Sequence, residues 1–136
     1  MADLTFGAGV VTVGGVTYVP GIWYLGLSRA APNDDGTGFD EPTIGVANYG
    51  RVAVTNNGTN YPPAATTGGV TTKRNGVAFT FPNPTGSWGL IGWYGWFSAA
   101  TGGLPRFTNP LDTPITVQNG NTPVEFAPSQ LIMPWD

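Results

Sequence analysis

The stretch SWGLIGWYGWFSAATGG, residues 87–103, holds three of the chain's five tryptophans and no charged residue. A β-strand points alternate side chains to opposite faces. In this one the even positions Trp88, Leu90, Tyr94 and Trp96 and the odd positions Ile91, Trp93 and Phe97 are all large and apolar. One face packs into the chain's own core. The other must be covered too, because burying one aromatic side chain removes about 150–250 Å² from water, an upper bound of about 4–6 kcal/mol. Three covers fit the residues. The chain's own segment 56–75 would make this a central strand; a second copy or another protein would approach closely over Gly89, Gly92 and Gly95; a sugar would stack on the rings. Sugar binding also needs polar side chains beside the rings, and this strand offers only Ser87 and Ser98. Trp93, Tyr94 and Trp96 are the interface candidates of the stretch.

The flanking sequence has the period of strands. No window repeats apolar residues at helical spacing without a glycine or proline interrupting it. IWYLGLSR (22–29) sets Trp23, Leu25 and Leu27 opposite Tyr24, Gly26 and Ser28. YGRVAVTN (49–56) sets Val52 and Val54 opposite Arg51, Ala53 and Thr55, and GVAFTFP (76–82) sets Val77, Phe79 and Phe81 opposite Ala78 and Thr80. PITVQNG (114–120) and PVEFA (123–127) are two short strands that Asn119, Gly120 and Asn121 would join as a hairpin. The pattern predicts an all-β chain, an antiparallel β-sandwich or jelly-roll-like barrel in a single domain.

Two connections are long: 30–48, with half of the carboxylates, and 57–74, with the only lysine. Residues 1–21 are glycine-rich and weakly patterned, an expected arm or edge strand ahead of the domain at 22–136. Phe6 in that arm and Trp135 in the terminal MPWD are the further interface candidates, as contacts to a shell or a sibling subunit.

Composition narrows the function. The chain has 136 residues, enough for one core, and 21 glycines and 13 prolines give it many turns. Only 10% of residues are charged, against about 25% in ordinary domains, so much of the surface is neutral. The net charge of −3 and five scattered cations offer no basic track for nucleic acid. There is no cysteine and no histidine, which removes thiolate metal sites, disulfides and the commonest general base. NDDGTGFDE (33–41) lacks the carboxylate spacing of a calcium loop and is expected as a solvated turn. No nucleophile elbow or phosphate loop occurs, so neither enzyme chemistry, nor a cofactor, nor a metal is expected. The N-terminus has no basic leader and no run reaches a membrane span, so synthesis in a bacterial cytoplasm is the expectation.

The order YLGLSRAAPNDDGTGFDEP, NYGRVAVTN, NGVAFTFPNPTGSWG, GWFSAATGG, LDTPITVQNGNTPVEFAPSQL, over residues 22–133, resembles a family of small tailed-bacteriophage virion proteins, tail-fibre-like, some of them capsid decoration or cement proteins. Glu41 and Pro42 match its acidic–proline pair ahead of the YxRxAV strand at Tyr49, Arg51, Ala53 and Val54. Trp88 and Gly89 match its tryptophan–glycine step, and Gly102 and Gly103 its tight turn. Ser98 and Asn121 stand where aspartate is frequent, and LIMPWD is more apolar than the family's end. The resemblance implies a non-enzymatic virion structural role. The expectation drawn from it is a decoration protein on the outer capsid surface, a homotrimer bound to the major capsid protein. A tail-fibre or receptor-binding domain that contacts host glycan is the alternative, and a carbohydrate-binding module the second.

Overall fold

The computed structural model describes residues 11–13, 16–19, 22–57, 59–62, 65–67 and 70–133. These residues form strands and turns and no helix, the expected all-β class, with antiparallel sheets consistent with a β-sandwich. Among them are eleven strands: β1 (Val11–Val13), β2 (Val16–Val19), β3 (Ile22–Ser28), β4 (Val52–Thr55), β5 (Ala65–Thr67), β6 (Val70–Arg74), β7 (Phe79–Thr80), β8 (Gly89–Phe97), β9 (Phe107–Val117), β10 (Glu125–Phe126) and β11 (Ile132–Met133). They make four sheets in the orders β1-β2, β10-β7, β11-β6-β5 and β4-β3-β8-β9.

The chain divides into two compact units built from interleaved segments. One comprises Met1–Trp23, Val54–Phe79 and Phe126–Asp136; the other comprises Tyr24–Ala53 and Thr80–Glu125. In the first, β1 and β2 form an antiparallel pair within the segment expected as an arm. The connection 57–74, expected as a loop, contains β5 and β6, and β6 also pairs with β11 through Arg74 and Lys73. Threonine-rich runs without alternating hydrophobicity carry no period-2 signal, so these strands escape a pattern reading. Asn75 ties the unit together: its Nδ2 donates to Val77 O at 2.8 Å and Ala127 O at 2.9 Å, and its Oδ1 accepts from Leu131 N at 2.8 Å. Those bonds satisfy a side chain that is buried.

In the second unit the expected alternation holds in part, for Ser28 and Arg51, set opposite Leu27 and Val52, are buried as well. Leu25, Leu27, Phe81, Trp88 and Ile91 are buried, while Ala53 and Thr80 stand in solvent. The expected hairpin of 114–120 with 123–127 is corrected. The turn forms, with Asn121 N donating to Gln118 O at 3.1 Å. Its two arms nevertheless pair elsewhere: Val117 lies opposite Gly89, its carbonyl accepting from Trp88 N at 2.9 Å, and Phe81 N donates to Val124 O at 2.8 Å. Turn residues say that the chain reverses; they do not say which edges then meet.

Candidate functional site

The stretch 87–103 is organised by the register of β3 with β8. Leu25 faces Trp96 and Leu27 faces Tyr94, which places four large apolar side chains on one face. On the other face Gly26 lies opposite Gly95, between the pairs Tyr24–Phe97 and Ser28–Trp93. Two facing glycines leave a trough, and this chain fills it. A methyl on Gly95 would sit 2.8 Å from Phe39 Cε2 and 3.0 Å from Pro105 Cβ; one on Gly26 would sit 2.8 Å from Glu41 Oε2 and 2.9 Å from Phe97 Cε1. Phe39 meets Phe97 edge to face at 5.3 Å. The cover expected from segment 56–75 is thus supplied on this face by residues 39–41 and Pro105, and the close approach at Gly95 admits Phe39, not a second copy.

A buried polar cluster holds that cover down. Arg51 Nε donates to Glu41 Oε2 at 2.9 Å and Nη2 to Oε1 at 2.8 Å, a two-point pair in which the arginine side chain is 2% exposed and the glutamate 14%. Arg51 Nη1 donates to Ala99 O at 2.8 Å and Gly102 O at 3.0 Å, across the turn that leaves β8. Tyr49 OH donates to Glu41 Oε2 at 2.7 Å and accepts from Leu27 N at 3.0 Å. Burial, reinforced by the Glu41 carboxylate, pushes the Tyr49 phenol far above its ordinary pKa. Every member has partners, which is the condition for a buried ionic cluster to be tolerated.

These residues are the Glu41, Tyr49 and Arg51 of the resemblance. Alternation sets Arg51 opposite Val52 and Val54, and Glu41 falls in a stretch expected as a solvated turn; the structure brings both inside. The signal that could have joined them is the Tyr-x-Arg spacing, which puts two polar side chains on one strand face with a single glutamate upstream. The remaining acidic residues of the turn behave as expected. Asp34 and Asp35 are exposed, and Thr37 holds the Asp35 carboxyl below its usual range by donating to it through its hydroxyl and backbone N–H. Asp40 pairs with Arg29 at 2.9 Å, both partly exposed. Among the described residues no group of three or more His, Cys, Asp or Glu stands close enough to hold a metal ion.

The interface candidates therefore divide. Tyr94 and Trp96 are buried within the chain, 4% and 1% exposed. Trp93 is half-buried, between Ser28 and Pro110. Phe6 and Trp135 lie outside the described residues. The exposed surface of this unit includes the turn at 98–104, ending in exposed Leu104, with Leu90 and the mostly exposed β9. β9 is an outer strand of its sheet, and Pro110, Asp112 and Pro114 lie along it. Two residues without an N–H, flanking a charge, blunt an edge against addition of another strand.

No curated protein matches the chain significantly. A family model does, described as podophage GP4 fiber I protein gp80, over residues 10–133. That match spans nearly all of the chain and includes the Glu41–Tyr49–Arg51 cluster, the covered strand and the turn that Arg51 holds. The chain belongs to this podophage fibre protein family, and it is a structural protein of a tailed-phage virion.

Proposed function

We propose that the chain is a non-enzymatic fibre subunit that assembles with neighbours in the particle through side-chain contacts of β9 and the turn 98–104. The observation that supports it best is the family match over 10–133 to a fibre protein. The chemistry agrees: a turn fixed by Arg51 has already lost the freedom that assembly would otherwise cost, and a threonine- and proline-containing strand whose one charged residue is Asp112 presents little charge to desolvate. Capsid decoration as a trimer on the major capsid protein, and contact with host glycan, become outcomes of one experiment. Copies per purified particle are counted by mass spectrometry against the major shell subunit, and a labelled antibody locates the chain by electron microscopy. A small symmetric set of copies with label at the tail supports the fibre; copies commensurate with the shell lattice and label over the whole shell overturn it in favour of decoration. Selective glycan binding by the isolated protein would add a receptor role to a tail location.

A further inference from the structure

The chain contains three Asn–Gly pairs, Asn57–Gly58, Asn75–Gly76 and Asn119–Gly120. A glycine after asparagine leaves the amide nitrogen unhindered, and so favours cyclisation onto the preceding carboxamide. The fold treats the three differently. Asn75 is buried with its carboxamide in three hydrogen bonds, and the attacking group is itself committed, since Gly76 N donates to Asn60 O at 2.8 Å. Asn57 Oδ1 accepts from Thr59 N at 3.1 Å and Asn60 N at 2.9 Å, which pins the carboxamide in its own turn. Asn119 is exposed at the tip of the turn after β9, and among the described residues none bonds to its side chain. Gly120 beside it has φ +83°, a conformation that a turn through glycine reaches without strain.

We propose that Asn119 is the chain's fold-selected site of spontaneous deamidation. Hydroxide removes the Gly120 N–H proton, and the nitrogen attacks Asn119 Cγ. The new C–N bond closes a succinimide as the Cγ–Nδ2 bond breaks and Nδ2 leaves as ammonia, protonated by water. Water then opens the ring at either carbonyl, giving aspartate or, with one extra backbone methylene, isoaspartate. No oxidant or enzyme is required. The product carries a new negative charge in a turn that otherwise has none from Gln118 to Thr122. The isoaspartate form also lengthens the backbone between Gln118 and Asn121, whose two mutual bonds close the turn: Asn121 N to Gln118 O at 3.1 Å and Gln118 N to Asn121 Oδ1 at 2.7 Å.

The test is incubation of the whole folded chain at mildly alkaline pH, with peptide mapping by mass spectrometry over time, beside the same chain in denaturant. In the folded chain Asn119 converts first, and Asn75, which reacts only when its surroundings open, lags by about tenfold or more. In denaturant the three sites converge. Equal rates at Asn119 and either other site in the folded chain overturn the proposal, as does an order that persists unchanged in denaturant. Asn119→Gln, whose longer side chain cyclises poorly, abolishes the early acidic variant on ion exchange; an acidic variant that still forms at the same rate also overturns it.

Discussion

The guanidinium carbon of Arg51 lies 3.5 Å from the centroid of the Phe97 ring. That one contact joins the two problems posed by the stretch 87–103. Phe97 is buried on the face of β8 opposite Tyr94 and Trp96, and a planar cation stacks on an aromatic face where a neutral side chain would merely touch it. The same guanidinium spends its N–H groups on Glu41 and on two carbonyls of the following turn. The aromatic strand is therefore sealed by an arginine whose other bonds fix the next loop.

Replacing Arg51 separates these roles. Arg51→Ala leaves the Glu41 carboxylate without its cation and two turn carbonyls without donors, and lowers stability by about 3 kcal/mol or more, as loss of one member of a buried pair does. Arg51→Lys keeps the charge but lacks the planar fork, so it recovers only part of that loss. Urea denaturation gives the free energies, and hydrogen exchange shows whether residues 98–103 lose protection in both variants. Unchanged exchange in Arg51→Ala would mean that the turn holds itself.

The glycines of β8 give a matched pair of variants. Gly95→Ala places a methyl 2.8 Å from Phe39 Cε2 and 3.0 Å from Pro105 Cβ, so the cover must lift, at a cost of about 1–3 kcal/mol. At Gly92 nothing lies within 4 Å of the new methyl, and Gly92→Ala stays within about 0.5 kcal/mol of the parent. Thermal or urea unfolding of the two proteins side by side checks this. Equal stabilities would show that Phe39 does not occupy the trough in solution.

How much of this was legible in the sequence follows from what alternation encodes. Residues 76–82 alternate cleanly, and Phe79 and Phe81 are buried as that pattern demands. The pattern at 88–97 is apolar on both faces, so it announces that two covers exist without naming either. Phe39, which lies over Gly95, sits in a segment of glycine and aspartate that local statistics assign to solvent. Glu41 and Arg51 are ten positions apart and meet only because the chain folds back on itself, a contact that no local period records. The family resemblance did set Glu41, Tyr49 and Arg51 in one pattern, yet a pattern of residue types carries no statement of which atoms touch. The strand partners of 114–117 and 123–126 were illegible for a related reason, since each choice of edge depends on strands far away in the chain.

A strained turn precedes the cluster. Ala47 and Asn48 have φ of 53° and 63°, and Tyr49 N donates to Val46 O at 3.0 Å, the arrangement of a type I′ turn. Alanine is poorly suited to the first of these positions. It is held there because its carbonyl accepts from Trp88 Nε1 at 2.9 Å and Thr85 N at 3.1 Å, while Asn48 Nδ2 donates to Asn83 O at 2.8 Å. Ala47→Gly keeps all of these backbone bonds and relieves the strain, so it leaves stability unchanged or raises it by up to about 1 kcal/mol. A loss above about 1 kcal/mol on urea denaturation would assign the Ala47 methyl a packing role that outweighs its backbone cost.

The buried phenols predict the alkaline limit of the fold. Burial raises the pKa of both Tyr49 and Tyr61 far above the ordinary value of 10.0, with the Glu41 carboxylate adding to the effect at Tyr49. In the unfolded chain both phenols ionise near that ordinary value, so above about pH 10 the folded state binds more protons than the unfolded one. Stability is therefore fully present below about pH 10 and falls as pH rises beyond it, by up to about 1.4 kcal/mol per pH unit for each tyrosine. Tyr49→Phe is less stable at neutral pH, by about 1–3 kcal/mol, because Leu27 N loses its acceptor. Its stability nonetheless declines with alkali less steeply than the parent's, since Tyr49 no longer contributes while Tyr61 still does. Urea midpoints measured from pH 8 to 11, with tyrosinate absorbance recorded alongside, separate the two effects. A folded chain whose phenols all ionise near pH 10 without loss of stability would place Tyr49 and Tyr61 in solvent and remove the buried cluster with them.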